Sequence, residues 1–91
     1  VDSGAEDALV RKGKSLLPSG VVAVFGRFAL GNSVTIVNEK EKSLAVGLVN
    51  YESTDLERIK GLKTTEIEKA LGYKHYDEVV HKDNLVLIST P

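Results

Sequence analysis

The chain has 91 residues, with 42% hydrophobic and 27% charged side chains and a formal net charge of −1. That length holds one small domain with one core, and the composition is that of a folded globular chain. With no cysteine there is no disulfide framework, thiolate nucleophile or cysteine-ligated metal, and the aliphatic run at residues 21–25 is far short of a membrane span.

No basic start leads into an apolar stretch, so no signal peptide is visible and a cytoplasmic domain is expected, with no membrane partner. The chain also lacks methionine and opens Val1-Asp2, which reads as a domain cut from a longer protein. The charge is segregated. Residues 1–7 carry −3, residues 8–38 carry no acid and +4 (Arg11, Lys12, Lys14, Arg27), and residues 39–91 carry −2. The acid-free stretch makes a modest basic patch if it folds onto one face, and phosphate binders draw on such patches. The plainer reading is a solvated helix end, where cations are favoured.

Residues 4–12 are predicted as a short helix. Ala5, Ala8 and Leu9 share one stripe, Asp2 or Ser3 can cap it, and Gly13 follows as a left-handed terminator. Pro18-Ser19-Gly20 is turn chemistry. Val21 to Phe25 reads as a buried strand, with Phe25 and Phe28 in the core. Ser33–Asn38 and Ser43–Asn50 flank the charged tip at residues 39–42 and read as an antiparallel hairpin, with Gly47 marking a bulge or a close approach.

Thr54-Asp55-Leu56-Glu57 predicts a capped helix through Lys60 that Gly61 stops. Thr65-Glu66-Ile67-Glu68 predicts another through Leu71 that Gly72 stops. Tyr73 to Asp83 reads as loop or helical turn, and Asn84–Ser89 as a last strand. The single domain over 1–91 thus divides into a helix plus strands (1–53), short helices and loop (54–83) and a final strand (84–89). This order lacks βαβ alternation. It predicts a mainly β, α+β fold with a curved, mostly antiparallel sheet and helices at its ends.

Catalytic motifs fail on inspection. Gly13-Lys14-Ser15 matches the end of a P-loop, but Ala8 stands where the motif needs glycine, and the strand-before-helix order is reversed. His75 and His81, near Asp77, Glu78 and Asp83, read more plainly as surface or hydrogen-bonded histidines than as metal ligands. No serine sits in a nucleophile motif with a local base. Five aromatics are thin for a base-stacking platform, and packing is the plainer role for Tyr73 and Tyr76. No residues assemble nucleophile, base and anion stabiliser, which leaves a binding, regulatory or assembly module.

The string Asp2-Ser3-Gly4-Ala5, Ala8-Leu9, Gly13 to Val21, Gly26 to Gly31 and Ala45 to Leu48 resembles the PUA domain, a small RNA-binding module. Gly47 to Tyr51, Arg58 to Gly61, Glu66-Ile67, Leu71 to Tyr73 and His81 to Leu85 resemble more narrowly the PUA domains that end bacterial glutamate 5-kinases. The resemblance implies a pseudo-barrel of mixed strands. Of the strand that usually precedes Asp2, the chain holds only Val1. Asn32 stands where an aspartate is usual, and Lys82 where an arginine is usual, which keeps the charge but loses a bidentate fork.

The resemblance also implies a parent enzyme that phosphorylates glutamate in proline biosynthesis. Its ATP, Mg²⁺ and catalytic residues belong to an upstream amino-acid-kinase domain, with no catalytic, metal or cofactor residue expected here. A regulatory or assembly role follows, with the upstream domain and a homo-oligomer as partners. The alternative is RNA binding. By position it selects Arg11, Lys12, Lys14, Ser15, Leu17, Pro18, Ser19 and Gly20, all inside the acid-free stretch.

Overall fold

A computed structural model describes residues 1–74 and 76–88. The first helix, α1 (Ser3–Val10), starts where Asp2 takes the cap: its Oδ1 accepts the Ala5 N–H at 2.8 Å. It ends two residues short of the predicted Lys12. Gly13 at φ +60° then turns the chain so that the Lys14 N–H closes on the Ala8 carbonyl at 3.0 Å. Pro18–Gly20 form a 3₁₀ turn, as the Pro-Ser-Gly chemistry predicted.

Residues 21–25 do not form the predicted strand. Val21 is buried, but Val22 is 52% and Phe25 71% exposed, so Phe25 is not a core residue; Phe28 does pack against the core. A β-branched run becomes a strand only where a neighbouring backbone offers a ladder, and this run has no ladder partner among the described residues.

The hairpin forms as expected, from β1 (Ser33–Val37) and β2 (Ser43–Leu48), antiparallel with Ser33 opposite Leu48 and Ile36 opposite Ala45. The register slips after Ile36, so Val37 faces Ser43. The resulting bulge turns two consecutive residues, Leu44 and Ala45, into the core where strict alternation would bury one. At the tip, Asn38 Oδ1 accepts the N–H groups of Lys40 and Lys42, each at 2.9 Å, and holds Glu41 at φ +63°. A side chain with a Cβ is strained there. Glu41→Gly is expected to raise stability by about 0.5 kcal/mol in urea unfolding, the relief slightly exceeding the entropy that glycine adds to the unfolded chain.

Next come α2 (Ser53–Ile59) and α3 (Ile67–Leu71). Neither starts at the predicted capping box. For α2 the cap position is Glu52, without a side-chain bond, and the Ser53 hydroxyl instead pairs with both the N–H and the carbonyl of Phe28. Ahead of α3, a 3₁₀ turn at Thr64–Glu66 is closed by the Lys63 N–H on Glu66 Oε1 at 3.2 Å. Gly61 and Gly72, at φ +78° and +82°, end the two segments as predicted.

The last strand, β3 (Leu85–Leu87), pairs antiparallel with β2, giving the order β1-β2-β3. It is shorter than the predicted 84–89, and Ser89 lies outside the described residues. A contact that local pattern did not show ties the ends together: Leu16 bridges to Val80, with N–H to carbonyl at 2.9 Å. Leu9, Leu16, Ile36, Ala45, Val49, Tyr51, Ile59, Ile67, Val79 and Val80 form one core between the sheet and the helices. The result is the expected α+β arrangement of an antiparallel sheet with short helices.

Candidate functional site

Beside α1 lies an open groove of about 570 Å³. Its floor exists because Gly20 lets the helix approach: a Cβ there would lie 2.5 Å from the Ala5 Cβ. The Asp2 N–H on the Gly20 carbonyl, at 3.0 Å, holds the helix start to this turn. The opposite wall is fixed from the far end of the chain, where Ser15 Oγ accepts the Lys82 N–H at 2.8 Å and the Leu16 carbonyl accepts the Val79 N–H at 2.7 Å.

Of the eight residues selected from the sequence, Lys14, Ser15, Leu17, Ser19 and Gly20 line this groove together. Pro18 is buried below them, its carbonyl accepting the N–H groups of Val21 and Gly61 at 3.0 and 2.8 Å. Arg11 and Lys12 do not line it. Both turn to Asp7, with nitrogen to oxygen distances of 3.4 and 3.7 Å. Arg27 borders a separate groove beside β1. The acid-free stretch therefore gives Lys14 alone to the groove as a cation, and Asp2 and Glu78 line it as carboxylates. Sequence reasoning missed Asp2, Gly4, Ala5, Ala8, Leu16 and Glu78. Ala5 and Ala8 could have been found as small residues on the helix face that meets the turn; Glu78 gives no local signal.

The other candidates are also placed. His81 Nδ1 accepts the Asp83 N–H at 3.1 Å, a local cap; His75 lies outside the described residues. Among the described residues no group of three or more histidine, aspartate or glutamate side chains converges to hold a metal. Gly13-Lys14-Ser15 follows a helix and leads into a β-bridge, so the backbone does not fit a phosphate cradle. No helix among these residues is long and apolar enough to cross a membrane.

Tyr73 and Tyr76 lie at the surface, 38% and 42% exposed, and outside the buried core. The Tyr73 hydroxyl donates to the Asp55 carboxylate, which stabilises the neutral phenol and pushes its pKa up to about 12. The folded state then holds a proton that the unfolded state loses near pH 10. This contribution to stability is full below pH 10 and is lost as pH rises to about 12. In Asp55→Asn the tyrosinate absorbance of Tyr73 is expected to appear nearer pH 10.

The family model for the PUA domain matches residues 1–71. The chain belongs to the PUA domain family. A crystal structure of a PUA domain from Aeropyrum pernix K1, a tartrate complex, is similar at a TM-score of 0.64 and 29% identity, over 89% of this chain and 39% of that one. The glutamate 5-kinase of Thermoanaerobacter sp. (strain X514) is 56% identical over 97% of this chain and 24% of its own length. That of Syntrophus aciditrophicus (strain SB) is 52% identical over 97% of this chain and 23% of its own. This PUA domain thus spans about a quarter of the length of the curated relatives it matches.

Proposed function

We propose that these residues are the C-terminal, non-catalytic PUA domain of a glutamate 5-kinase and serve its regulation or assembly. One observation carries this: nearly the whole chain aligns, at more than half identity, with about a quarter of the length of glutamate 5-kinases. Phosphorylation of glutamate with ATP and Mg²⁺, as a cytoplasmic step of proline biosynthesis, then belongs to an amino-acid-kinase domain upstream.

The parent enzyme with and without residues 1–91 tests the proposal through glutamyl phosphate formation, inhibition by proline and oligomer size. At least one is expected to change severalfold on deletion, and no change in all three would overturn the role.

RNA binding is the second reading, favoured by the gathering of Lys14, Ser15, Leu17, Ser19 and Gly20 in one groove beside Arg11, Lys12 and buried Pro18. It ranks below the first because the single carboxylate of Asp7 is shared by Arg11 and Lys12 and offsets one of their two charges, and Asp2 and Glu78 repel phosphate. Titration with a structured RNA decides it. Binding that weakens steeply with salt and is lost in Arg11→Glu with Lys14→Glu would support it; binding indifferent to both would count against this face.

A further inference from the structure

We infer that the residues ahead of Val1 in the parent chain lie as a strand in the groove beside β1, parallel to β1 and antiparallel to residues 21–25, and so bring the upstream domain to the corner at Phe25 and Arg27. The inference rests on the reading above, that a further domain stands ahead of this one in the same chain.

The first ground is the backbone at Val1 and Asp2. The Val1 nitrogen donates to the Val37 carbonyl at 2.8 Å, and the Asp2 N–H donates to the Gly20 carbonyl at 3.0 Å. Consecutive N–H groups that bond to opposite sides belong to a strand held between two partners. Val1-Asp2 is thus the last step of such a strand, with β1 on one side and the segment after Gly20 on the other. The helix α1 leaves at the Val37 end of β1, so the chain ahead of Val1 runs toward Ser33.

The second ground is that both neighbours have backbone to offer. The Ile88 N–H bonds to the Leu44 carbonyl at 2.8 Å, so Leu44 faces β3. Backbone groups alternate along a strand, which turns Val46 toward β3 and Ala45 and Gly47 toward β1. Their partners Ile36 and Val34 then face β2, and the N–H groups of Ser33 and Thr35 point to the outer edge. Among the described residues no strand pairs with that edge, and none pairs with the β-branched run at 21–25. One strand between them supplies both ladders.

The third ground is the space itself. A groove of about 360 Å³ extends from Val1 along β1 to Phe25 and Arg27. Ile36, Val49 and Val80 of the core line it, as do the partly buried Val24 and Val34, and no carboxylate does. At about 3.3 Å per residue, about five residues match the length of β1, with apolar side chains on the alternate positions that face the core. A separate partner molecule is not the occupant, because Val1 already fills the inner end and fixes which polypeptide continues from it. Phe25, 71% exposed, stands at the end where this strand enters, and is apolar surface for the upstream domain to cover.

Hydrogen exchange in the full-length parent tests the placement. The Ser33 and Thr35 amides are expected to exchange at least about a hundredfold more slowly than exposed amides, and exchange at the exposed rate overturns the inference. Proline is tolerated on an open edge but not inside a ladder. Thr35→Pro is therefore expected to leave the thermal midpoint of the 91-residue chain nearly unchanged and to lower that of the same domain in the parent by several degrees; equal shifts would count against the strand. Should the variant fail to fold, the exchange measurement on the unaltered parent decides alone. For the corner, Phe25→Cys is compared with Val86→Cys, a position equally exposed at 71%. Alkylation in the parent, read by mass spectrometry, is expected to be severalfold slower at position 25, and equal rates overturn docking there. None of these measurements reads glutamyl phosphate, so a parent that protects Thr35 yet forms none supports this inference and overturns the kinase reading.

Discussion

Gly47→Ala is expected to lose about 2–3 kcal/mol of stability in urea unfolding. The added methyl would sit 2.5 Å from Val80 Cγ1 and 2.9 Å from the Asn84 carbonyl oxygen. Neither can retreat cheaply. Val80 is buried in the core and held by its bridge to Leu16, and the Asn84 carbonyl belongs to the backbone entering β3. Relief would require β3 to lift from β2. The neighbouring Val46→Ala is the control: its side chain faces outward, and its loss should stay within about 0.5 kcal/mol. Equal effects at the two positions would mean that the sheet does not pass this close to Val80.

Tyr51→Ala is expected to cost about 4 kcal/mol, a large part of the 5–15 kcal/mol typical of a whole domain. Tyr51 is buried in the same core as Leu56, Ile59 and Val79, and its hydroxyl donates to the Tyr76 carbonyl. It is the anchor by which the core holds the segment between α3 and β3. Asn50 adds a parallel tie, its Nδ2 donating to the Glu78 carbonyl at 3.1 Å and its N–H to Val79 at 2.7 Å. Tyr51→Phe keeps the ring and removes the donor, and should cost about 1 kcal/mol. The two variants, measured by thermal and urea unfolding, separate the packing of the ring from the tie. A Phe variant as damaged as the Ala variant would show that the hydroxyl, not the ring, carries the effect.

Both halves of the hairpin were legible because their patterns are local: a β-branched run and a largely apolar run on either side of a charged tip. The small inward residue at position 47 was likewise a readable sign of close approach, and its cause proved to be Val80. Residues 21–25 have as strong a β composition as β1, yet form no strand. What separates the two is a partner backbone, and composition does not report one. Val79 and Val80 were passed over within a polar loop, although they are among the most deeply buried residues, because their packing partners lie far off in sequence.

The groove shows the same division. Asp7 with Arg11 is an i, i+4 pair visible in the sequence, and it withdraws one of the cations that the basic stretch seemed to offer. Lys14 through Gly20 were gathered correctly because they are contiguous. Glu78, which changes the charge of the wall they face, arrives through the Leu16 bridge from the far end of the chain.

That bridge bears on how the chain folds in time. Leu16 cannot be sealed into the core until Val79 and Val80 arrive, and β2 stays an edge until Leu85–Leu87 arrive. Closing so long a loop comes before its contacts repay the lost entropy, which slows folding relative to a helical bundle of this size. On a ribosome, the domain therefore lacks its closed core while residues 79–87 are still in the exit tunnel. The hairpin can flicker in and out, but the core closes only after synthesis has passed β3.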